Sequence, residues 1–279
     1  MRVHAEVITP DPRPLGRPTT LAVLGDSIAV GIGDPVHGGG WRGFAPLLAD
    51  SLGVARLVNV STSGARIGDL ATGQLPAALR SQPDVAVVMA GMNDTMRSDF
   101  DVRRLHADMD HVLSRLTDAG ATVVTIRYHD HGRVFRLPGP LRRFLTGRID
   151  DLNIALDAAA QRHGAGVVDL DRLPGAYHPA TWSVDRLHPG ELGHRMLAHA
   201  FAREFANAGV ALSREVSLRC SGGRRVSRLD HLLWLLAKGI PWLVTRSADL
   251  IPYFANALLR PRGIPDPVDD DLPRRRTTG

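Results

Sequence analysis

The chain contains a single cysteine, Cys220, among its 279 residues. An internal disulfide is therefore impossible, and a zinc site built from several cysteines is excluded. The chain also lacks an apolar run of about 18 residues, the length that a helix needs to cross a bilayer. Its N-terminus, MRVHAEVITPDPRPLGRP, has no continuous apolar core of the kind found in signal peptides. These absences predict a cytoplasmic protein without a membrane-spanning helix.

The first 210 residues of the chain carry no net charge. The sequence has 34 Lys and Arg against 29 Asp and Glu, and residues 211–279 hold 12 of the basic and 7 of the acidic side chains. The first 210 residues therefore carry equal numbers of both signs. Proteins that bind nucleic acid usually present a basic surface, so we expect no nucleic-acid partner for the body of this protein.

Changes in composition divide the chain into four regions. Residues 1–19 form a proline-rich leader, residues 20–208 a single domain, residues 209–264 an apolar and basic helical extension, and residues 265–279 a disordered tail. Pro241 and Pro252 interrupt the extension and predict two or three short helices there. The extension could pack on the body, form a dimer contact, or lie on an anionic membrane surface through residues 224–259. The sequence does not indicate the oligomeric state.

Short apolar runs alternate with amphipathic stretches throughout residues 20–208. The runs predict strands at residues 21–24, 57–60, 85–90, 122–126 and 167–170. The amphipathic stretches predict helices at residues 41–52, 74–80, 101–119, 140–162 and 191–206, with a glycine-rich loop at 29–40. Continuous apolar strands separated by helices are typical of parallel sheets that are covered on both faces. The prediction is an α/β protein, a flavodoxin-like three-layer α/β/α sandwich around a parallel five-stranded sheet.

Polar residues follow the ends of several predicted strands. Ser27 comes directly after the run LAVLGD, Gly64 follows the second strand, and Asn93 follows the third. His188, preceded by Asp185, stands just before the last helix, and Pro189 suits its first turn. In a parallel sheet the carboxyl ends of the strands share one edge, so these residues are expected to meet there.

These residue types match the needs of nucleophilic catalysis. A serine hydroxyl requires a base to take its proton, and histidine is the usual base near neutral pH. A carboxylate beside the other ring nitrogen fixes the tautomer and stabilises the imidazolium. The backbone N–H groups of Ser27 and Gly64 and the side-chain amide of Asn93 could bind an oxyanion. Taken singly, each residue has a structural alternative: Ser27 could cap a helix, and Asn93 and Gly64 could serve turns.

Four sequence blocks in order resemble the SGNH (GDSL-type) serine hydrolases over residues 20–208. The blocks are Gly25-Asp26-Ser27-Ile28, Asn59 with Gly64, Gly91-Met92-Asn93-Asp94, and Asp185-Arg186-Leu187-His188-Pro189 with Gly193. Ile28 stands where the family often has leucine. The G-x-S-x-G motif of other α/β-hydrolases is absent from the sequence.

The resemblance implies a serine hydrolase that cleaves carboxylic esters through an acyl-enzyme. Ser27 would be the nucleophile, His188 the base and Asp185 its orienting acid, with an oxyanion hole formed by Ser27, Gly64 and Asn93. The substrate would be a small or lipid-like acyl ester, and neither a metal nor a cofactor would be needed. A thioesterase, an acyltransferase, or a non-catalytic membrane- or protein-interaction module with a vestigial site remain alternatives.

Several further residues near the predicted strand ends have open roles. Asp169 and Asp171 follow the fifth strand and could replace Asp185 as the acid. Trp41, Tyr128 and His129 are predicted to line the substrate pocket. The run His129-Asp130-His131 could instead hold a metal, but two of these residues on one extended segment are expected to point to opposite sides.

Overall fold

The computed structural model describes residues 17–221, and a sheet lies at the centre of this part of the chain. Its strands are β1 (Thr20–Gly25), β2 (Arg56–Asn59), β3 (Val85–Met89), β4 (Thr122–Arg127) and β5 (Gly166–Asp169). All neighbours are parallel, and the order across the sheet is β2-β1-β3-β4-β5. The predicted parallel five-stranded sheet is therefore confirmed. The strand order reverses between β1 and β3, which is where ligands bind in such sheets.

Helices cover both faces of the sheet and complete the predicted three layers. They are α1 (Ser27–Val30), α2 (Phe44–Leu52), α3 (Ile67–Asp69), α4 (Leu75–Arg80), α5 (Met92–Thr95), α6 (Val102–Asp118), α7 (His131–Phe135), α8 (Gly139–His163) and α9 (Glu191–Asn207). Helices α2 and α9 pack together in one layer, and α6 packs against α8 in the other. The chain is thus an α/β protein with the flavodoxin-like strand order.

The central strand β1 is the most deeply buried part of the sheet. Its residues Leu21–Leu24 have no exposed surface, because β2 and β3 flank the strand and helices cover both of its faces. Burial on both faces explains the continuous apolar sequence. Strand β2, by contrast, lies at the sheet edge and exposes Arg56 and Asn59.

Local structure differs from the sequence prediction at several turns. Helix α1 begins at Ser27, within a stretch predicted partly as a loop. Helix α2 starts at Phe44 rather than Trp41, because Gly43 has φ +70° and a Cβ there would lie 2.4 Å from Gly31 Cα. The prediction also missed α3 and the π-helical turn Leu70–Gln74 that leads into α4.

The segment after α9 returns to the body of the protein. Residues 209–221 form no helix, and Val210 and Val216 are buried. The backbone N–H of Ser213 donates to the Ser51 carbonyl at 2.7 Å. The rest of the predicted extension, including residues 224–259, lies outside the described residues, as do the tail 265–279 and residues 1–16 of the leader. Within the described part, no helix is long and apolar enough to cross a membrane.

Candidate active site

Ser27 is held at the end of the central strand by a close backbone contact. A Cβ on Gly25 would lie 2.5 Å from the Met89 carbonyl oxygen of β3, so only glycine permits this approach. Asp26 then caps α1, and its Oδ1 accepts from the Ile28 N–H at 2.9 Å. Ser27 is therefore the first residue of the helix, and its hydroxyl points to the carboxyl edge of the sheet.

The loop from Ser183 to Pro189 carries Asp185 and His188. The Ser183 N–H donates to the His188 carbonyl at 2.9 Å, which closes the loop on itself. Asp185 Oδ1 accepts from Ser183 Oγ at 2.6 Å and from the N–H groups of Leu187 and His188 at 2.9 and 3.0 Å. Pro189 pairs with Trp182 and precedes α9, so the expectation that it lies in the first turn of that helix is wrong.

A continuous hydrogen-bonded chain joins this loop to Ser27. His188 Nε2 lies 2.8 Å from Ser27 Oγ, and His188 Nδ1 lies 2.6 Å from Asp185 Oδ2. Burial alone would raise the pKa of Asp185, but the hydrogen bonds and charge of His188 outweigh it and hold the pKa at about 2. Asp185 is therefore a carboxylate at neutral pH, suited to hold the imidazole by its Nδ1–H.

Asp169 and Asp171 form hydrogen bonds elsewhere and do not contact His188. Asp169 Oδ1 accepts from the Asp171 N–H at 2.9 Å, and Asp171 accepts from the Tyr177 hydroxyl. The acid that contacts His188 is Asp185.

Gly64 lies in a loop that is tied to Asn93 at the start of α5 and, through Asn59, to α1. Asn93 Nδ2 donates to the Ala65 carbonyl at 3.0 Å, and its second N–H bond has no acceptor among residues 17–221. Asn59 Nδ2 donates to the Ala29 carbonyl at 2.8 Å, which fixes the start of the Gly64 loop against α1. Gly64 has φ +81° and open space where a side chain would stand, so its backbone is accessible.

An apolar pocket opens beside Ser27 and His188. Tyr128 and His129 line it, and both are buried, with exposed fractions of 3% and 4%. Burial and the nearby Asp26 carboxylate raise the pKa of Tyr128 above its ordinary value. The remaining wall is mostly apolar: Ile28, Met89, Met92, Met96, Leu170, Leu173, Ala176, Trp182, Leu187, Met196 and Leu197.

Trp41 does not belong to this pocket. Its side chain is 46% exposed and its backbone pairs with Pro35 at the base of the glycine-rich loop. Trp41 is not among the residues that line this pocket. The three consecutive glycines Gly38–Gly40 have positive φ and turn the loop away, a geometry that the apolar pattern does not indicate.

His129 and His131 contact each other in the wall of the pocket. His131 Nδ1 lies 3.0 Å from His129 Nε2, where the segment turns into α7. The expectation that these side chains diverge is therefore wrong, and even in an extended segment residues two apart share one face. Asp130 points away and accepts from Arg142 and Thr146. Among residues 17–221, no group of three or more His, Cys, Asp or Glu is arranged to hold a metal ion.

Sequence reasoning missed two groups that border the site. Burial raises the pKa of Asp26 to about 6, although the Ile28 N–H and the charge of His188 act in the opposite direction. His131 Nε2 contacts the Arg186 carbonyl at 3.1 Å and thereby touches the loop that carries Asp185 and His188. The position of Asp26 inside the Gly-Asp-Ser block was a usable signal. No local pattern marks the contact between His131 and Arg186, which are 55 residues apart.

Solved structures with the same fold are esterases and related hydrolases. An α/β hydrolase, LAE5, from the metagenome of Lake Arreo is 24% identical with a TM-score of 0.55, and the match covers 67% of this chain and 95% of that one. The acetylxylan esterase Axe2 of Geobacillus stearothermophilus is 22% identical with a TM-score of 0.54, covering 69% and 96%. The esterase EstA of a Pseudoalteromonas species is 17% identical with a TM-score of 0.53, covering 68% and 97%.

Comparison with curated protein sequences gives no match. The sequence profile of the GDSL-like lipase/acylhydrolase family, however, matches residues 23–196. This range contains every strand of the sheet except the first three residues of β1, and it contains Ser27, Gly64, Asn93, Asp185 and His188. The resemblance drawn from the four blocks is thereby confirmed. The chain belongs to the GDSL-like lipase/acylhydrolase family and is a carboxylic ester hydrolase.

Proposed function

We propose that this protein hydrolyses esters of short, apolar acyl groups, with Ser27 as nucleophile, His188 as general base and acid, and Asp185 as the residue that orients His188. The observation that carries the proposal is the unbroken chain from Asp185 Oδ2 through His188 to Ser27 Oγ, with both contacts below 3 Å. A helix cap or a turn residue would not require this alignment of three side chains.

Acylation begins when Ser27 Oγ attacks the carbonyl carbon of the ester. His188 Nε2 accepts the hydroxyl proton as the Oγ–C bond forms, and the carbonyl oxygen becomes an oxyanion. The tetrahedral intermediate then collapses, the bond to the alcohol oxygen breaks, and His188 Nε2–H protonates that oxygen. The products of this half-reaction are the free alcohol and an ester of Ser27.

Deacylation repeats the same steps with water as the nucleophile. His188 Nε2 takes a proton from water, the hydroxide oxygen bonds to the acyl carbon, and Ser27 Oγ leaves and regains its proton from His188. Asp185 stays ionised throughout and stabilises the imidazolium that forms in each half-reaction. This role agrees with its pKa of about 2.

The oxyanion would bind to three donors around Ser27. The N–H of Ser27 is the first of α1 and has no intrahelical acceptor. The accessible Gly64 backbone and the second N–H bond of Asn93 Nδ2 complete the set. Donors that are fixed before the reaction stabilise the developing charge without reorganising, and the loss of one such donor typically costs about 10²- to 10³-fold in rate.

The lining of the pocket supports an apolar acyl group, because the wall beside Ser27 and His188 is formed mostly by apolar side chains. Methionines in the wall, Met89, Met92, Met96 and Met196, present apolar surface to the chain. The similar structure Axe2 is an acetylxylan esterase, which agrees with a short acyl preference.

A comparison of Ser27→Ala with the native chain tests the proposal. Hydrolysis of p-nitrophenyl acetate, butyrate and octanoate should be fastest for the two short esters, and Ser27→Ala should lower kcat by about 10³-fold or more. Ser114→Ala, a serine on α6 that bonds only Asp118 through its hydroxyl, is the matched control and should leave kcat unchanged. Native rates in Ser27→Ala would overturn the assignment of the nucleophile, and fastest turnover of octanoate would overturn the acyl preference.

A further inference from the structure

A second hydrogen-bonded chain reaches the Asp185–His188 loop from the opposite side. His129 Nε2 lies 3.0 Å from His131 Nδ1, and His131 Nε2 lies 3.1 Å from the carbonyl oxygen of Arg186. Both imidazoles are buried, with exposed fractions of 4% and 2%. Neither is used in the steps of ester hydrolysis described above.

The Arg186 carbonyl determines where the protons of this chain lie. A carbonyl oxygen only accepts, so His131 Nε2 carries a hydrogen and donates it. In a neutral ring His131 Nδ1 then accepts, and His129 Nε2 must be the donor to it. Burial lowers the pKa of His129 to about 4 and holds that of His131 well below its ordinary value, so both rings are neutral at pH 7. Hydrogen-bond donation therefore runs in one direction: His129 donates to His131, and His131 donates to the loop.

The residue that receives this hydrogen bond has an unusual backbone. Arg186 adopts φ +55°, in the left-handed region that non-glycine residues occupy only when surrounding contacts hold them. It stands between Asp185, which contacts His188 Nδ1, and Leu187, whose N–H donates to Asp185. A change at the Arg186 peptide would move the carboxylate and the imidazole together.

Aromatic packing fixes the orientation of the His131 ring. Phe135 and Trp182 meet it edge-on, with ring centroids 4.4 and 5.0 Å away. His129 packs on Trp182 at 5.2 Å and on Tyr177 at 5.7 Å. The His131 ring therefore cannot turn freely, and its Nε2–H stays directed at the Arg186 carbonyl.

We infer that His131, supported by His129, is a positioning residue that holds the Asp185–His188 loop in the geometry required for catalysis. This inference rests on the proposed function of that loop. His131 takes no proton from the substrate in these steps and acts on the catalytic geometry through the Arg186 carbonyl. Since misplacement of catalytic groups by about 1 Å can cost on the order of 100-fold in rate, the loss of this contact should lower kcat rather than substrate binding.

Three substitutions of His131 separate its hydrogen bonds from its volume. His131→Phe keeps an aromatic ring and removes both bonds. In His131→Gln the terminal amide nitrogen reaches the place of Nε2 and can still donate to Arg186. In His131→Asn the shorter side chain reaches the place of Nδ1 and can contact only His129. The Gln and Asn variants are thus a matched pair of similar polarity that differ in the contact under test.

Each variant is assayed with p-nitrophenyl acetate, and kcat is normalised to the number of sites that react with a fluorophosphonate. His131→Phe should lower kcat by about 10- to 100-fold with KM within about twofold, His131→Gln should recover most of the rate, and His131→Asn should not. The short His188–Asp185 hydrogen bond should give a downfield proton NMR resonance in the native protein, and this resonance should weaken in His131→Phe and His131→Asn and persist in His131→Gln.

A role limited to stability predicts a different outcome. The variants would then differ in melting temperature, but each reactive site would turn over at the native rate with the downfield resonance intact, and this would overturn the inference. Equal losses in Gln and Asn would overturn it as well, and that comparison stands even if His131→Phe does not fold. Failure of the proposed function itself is recognised separately, because Ser27→Ala would then remain active in the same assay.

Discussion

The two halves of the candidate active site are positioned in different ways. Ser27 follows β1, whose residues Leu21–Leu24 are fully buried, and Gly25 packs directly on the backbone of β3. Asp185 and His188 lie in a loop outside the sheet. Hydrogen bonds to Asp185, the Trp182–Pro189 pairing and the contact with His131 hold this loop in place. Close packing fixes Ser27, whereas polar contacts fix His188 and Asp185.

The strand end that carries Ser27 is therefore rigid, whereas the loop that carries Asp185 and His188 can shift slightly. A packed strand end cannot move without opening the core, because interiors are nearly as dense as crystals of small molecules. A loop held by a few hydrogen bonds can shift by fractions of an ångström when one bond is lost. Substitutions on the strand side should therefore change stability and activity together, and substitutions on the loop side should change activity with a smaller effect on stability.

The largest expected effect comes from the contact that joins the two halves. His188→Ala should lower kcat for p-nitrophenyl acetate by about 10³-fold or more, because Ser27 then has no base. The double variant Ser27→Ala/His188→Ala should lose little beyond either single variant, since the residues of such a unit do not act additively. Steady-state kinetics on the three variants checks this, and additive losses would show that the two residues act independently.

The two buried carboxylates should respond to pH in opposite directions. The pKa of Asp26 is raised from 3.8 to about 6, so the folded state binds the proton more tightly and stability rises as pH falls from about 7 to 4. The pKa of Asp185 is lowered from 3.8 to about 2, so its contribution is complete above about pH 4 and is lost as pH falls toward 2. The two effects amount to at most about 3 and about 2 kcal/mol.

Urea unfolding between pH 2 and pH 8 compares the native chain with Asp26→Asn and Asp185→Asn. The native chain should gain free energy of unfolding relative to Asp26→Asn between pH 7 and 4, because asparagine can cap α1 but does not titrate. It should lose free energy relative to Asp185→Asn between pH 4 and 2. Parallel curves in either window would show that the corresponding carboxylate is not perturbed as described.

The smallest expected effects come from substitutions that test the backbone geometry of the strand end at Gly25 and of the loop at Arg186. Gly25→Ala places a Cβ 2.5 Å from the Met89 carbonyl oxygen and should cost about 1–3 kcal/mol of stability. Gly73→Ala, where a Cβ meets open space, is the matched control and should be neutral or slightly stabilising. Arg186→Gly should change stability by no more than about 1 kcal/mol, because glycine accepts φ +55° but loses more entropy on folding.

Thermal and urea unfolding of these three variants measure how much stability each substitution costs. A Gly25→Ala protein as stable as the native chain would contradict the close packing of the strand end. A strong loss in Arg186→Gly would show that the loop depends on the Arg186 side chain rather than on its carbonyl.

The sequence was most informative where the core positions the residue. Apolar runs predict the strands because both faces of the sheet are buried, and the parallel arrangement then brings the segments of Ser27, Asn93 and His188 to one edge. The same reasoning could not place Trp41, since the turn of Gly38–Gly40 depends on positive φ angles and not on periodicity. Nor could it predict the contact of His131 with Arg186, which depends on the tertiary fold and on the backbone conformation of Arg186.

Covalent labelling decides whether Ser27 is the reactive serine. The native chain is treated with a fluorophosphonate, digested, and analysed by mass spectrometry to locate the phosphonylated residue. We expect one adduct, on the peptide that contains Ser27, and its loss in His188→Ala, because the hydroxyl is not activated without the base. An adduct on another serine, or hydrolysis of p-nitrophenyl acetate that continues at the native rate after complete labelling of Ser27, would contradict the account.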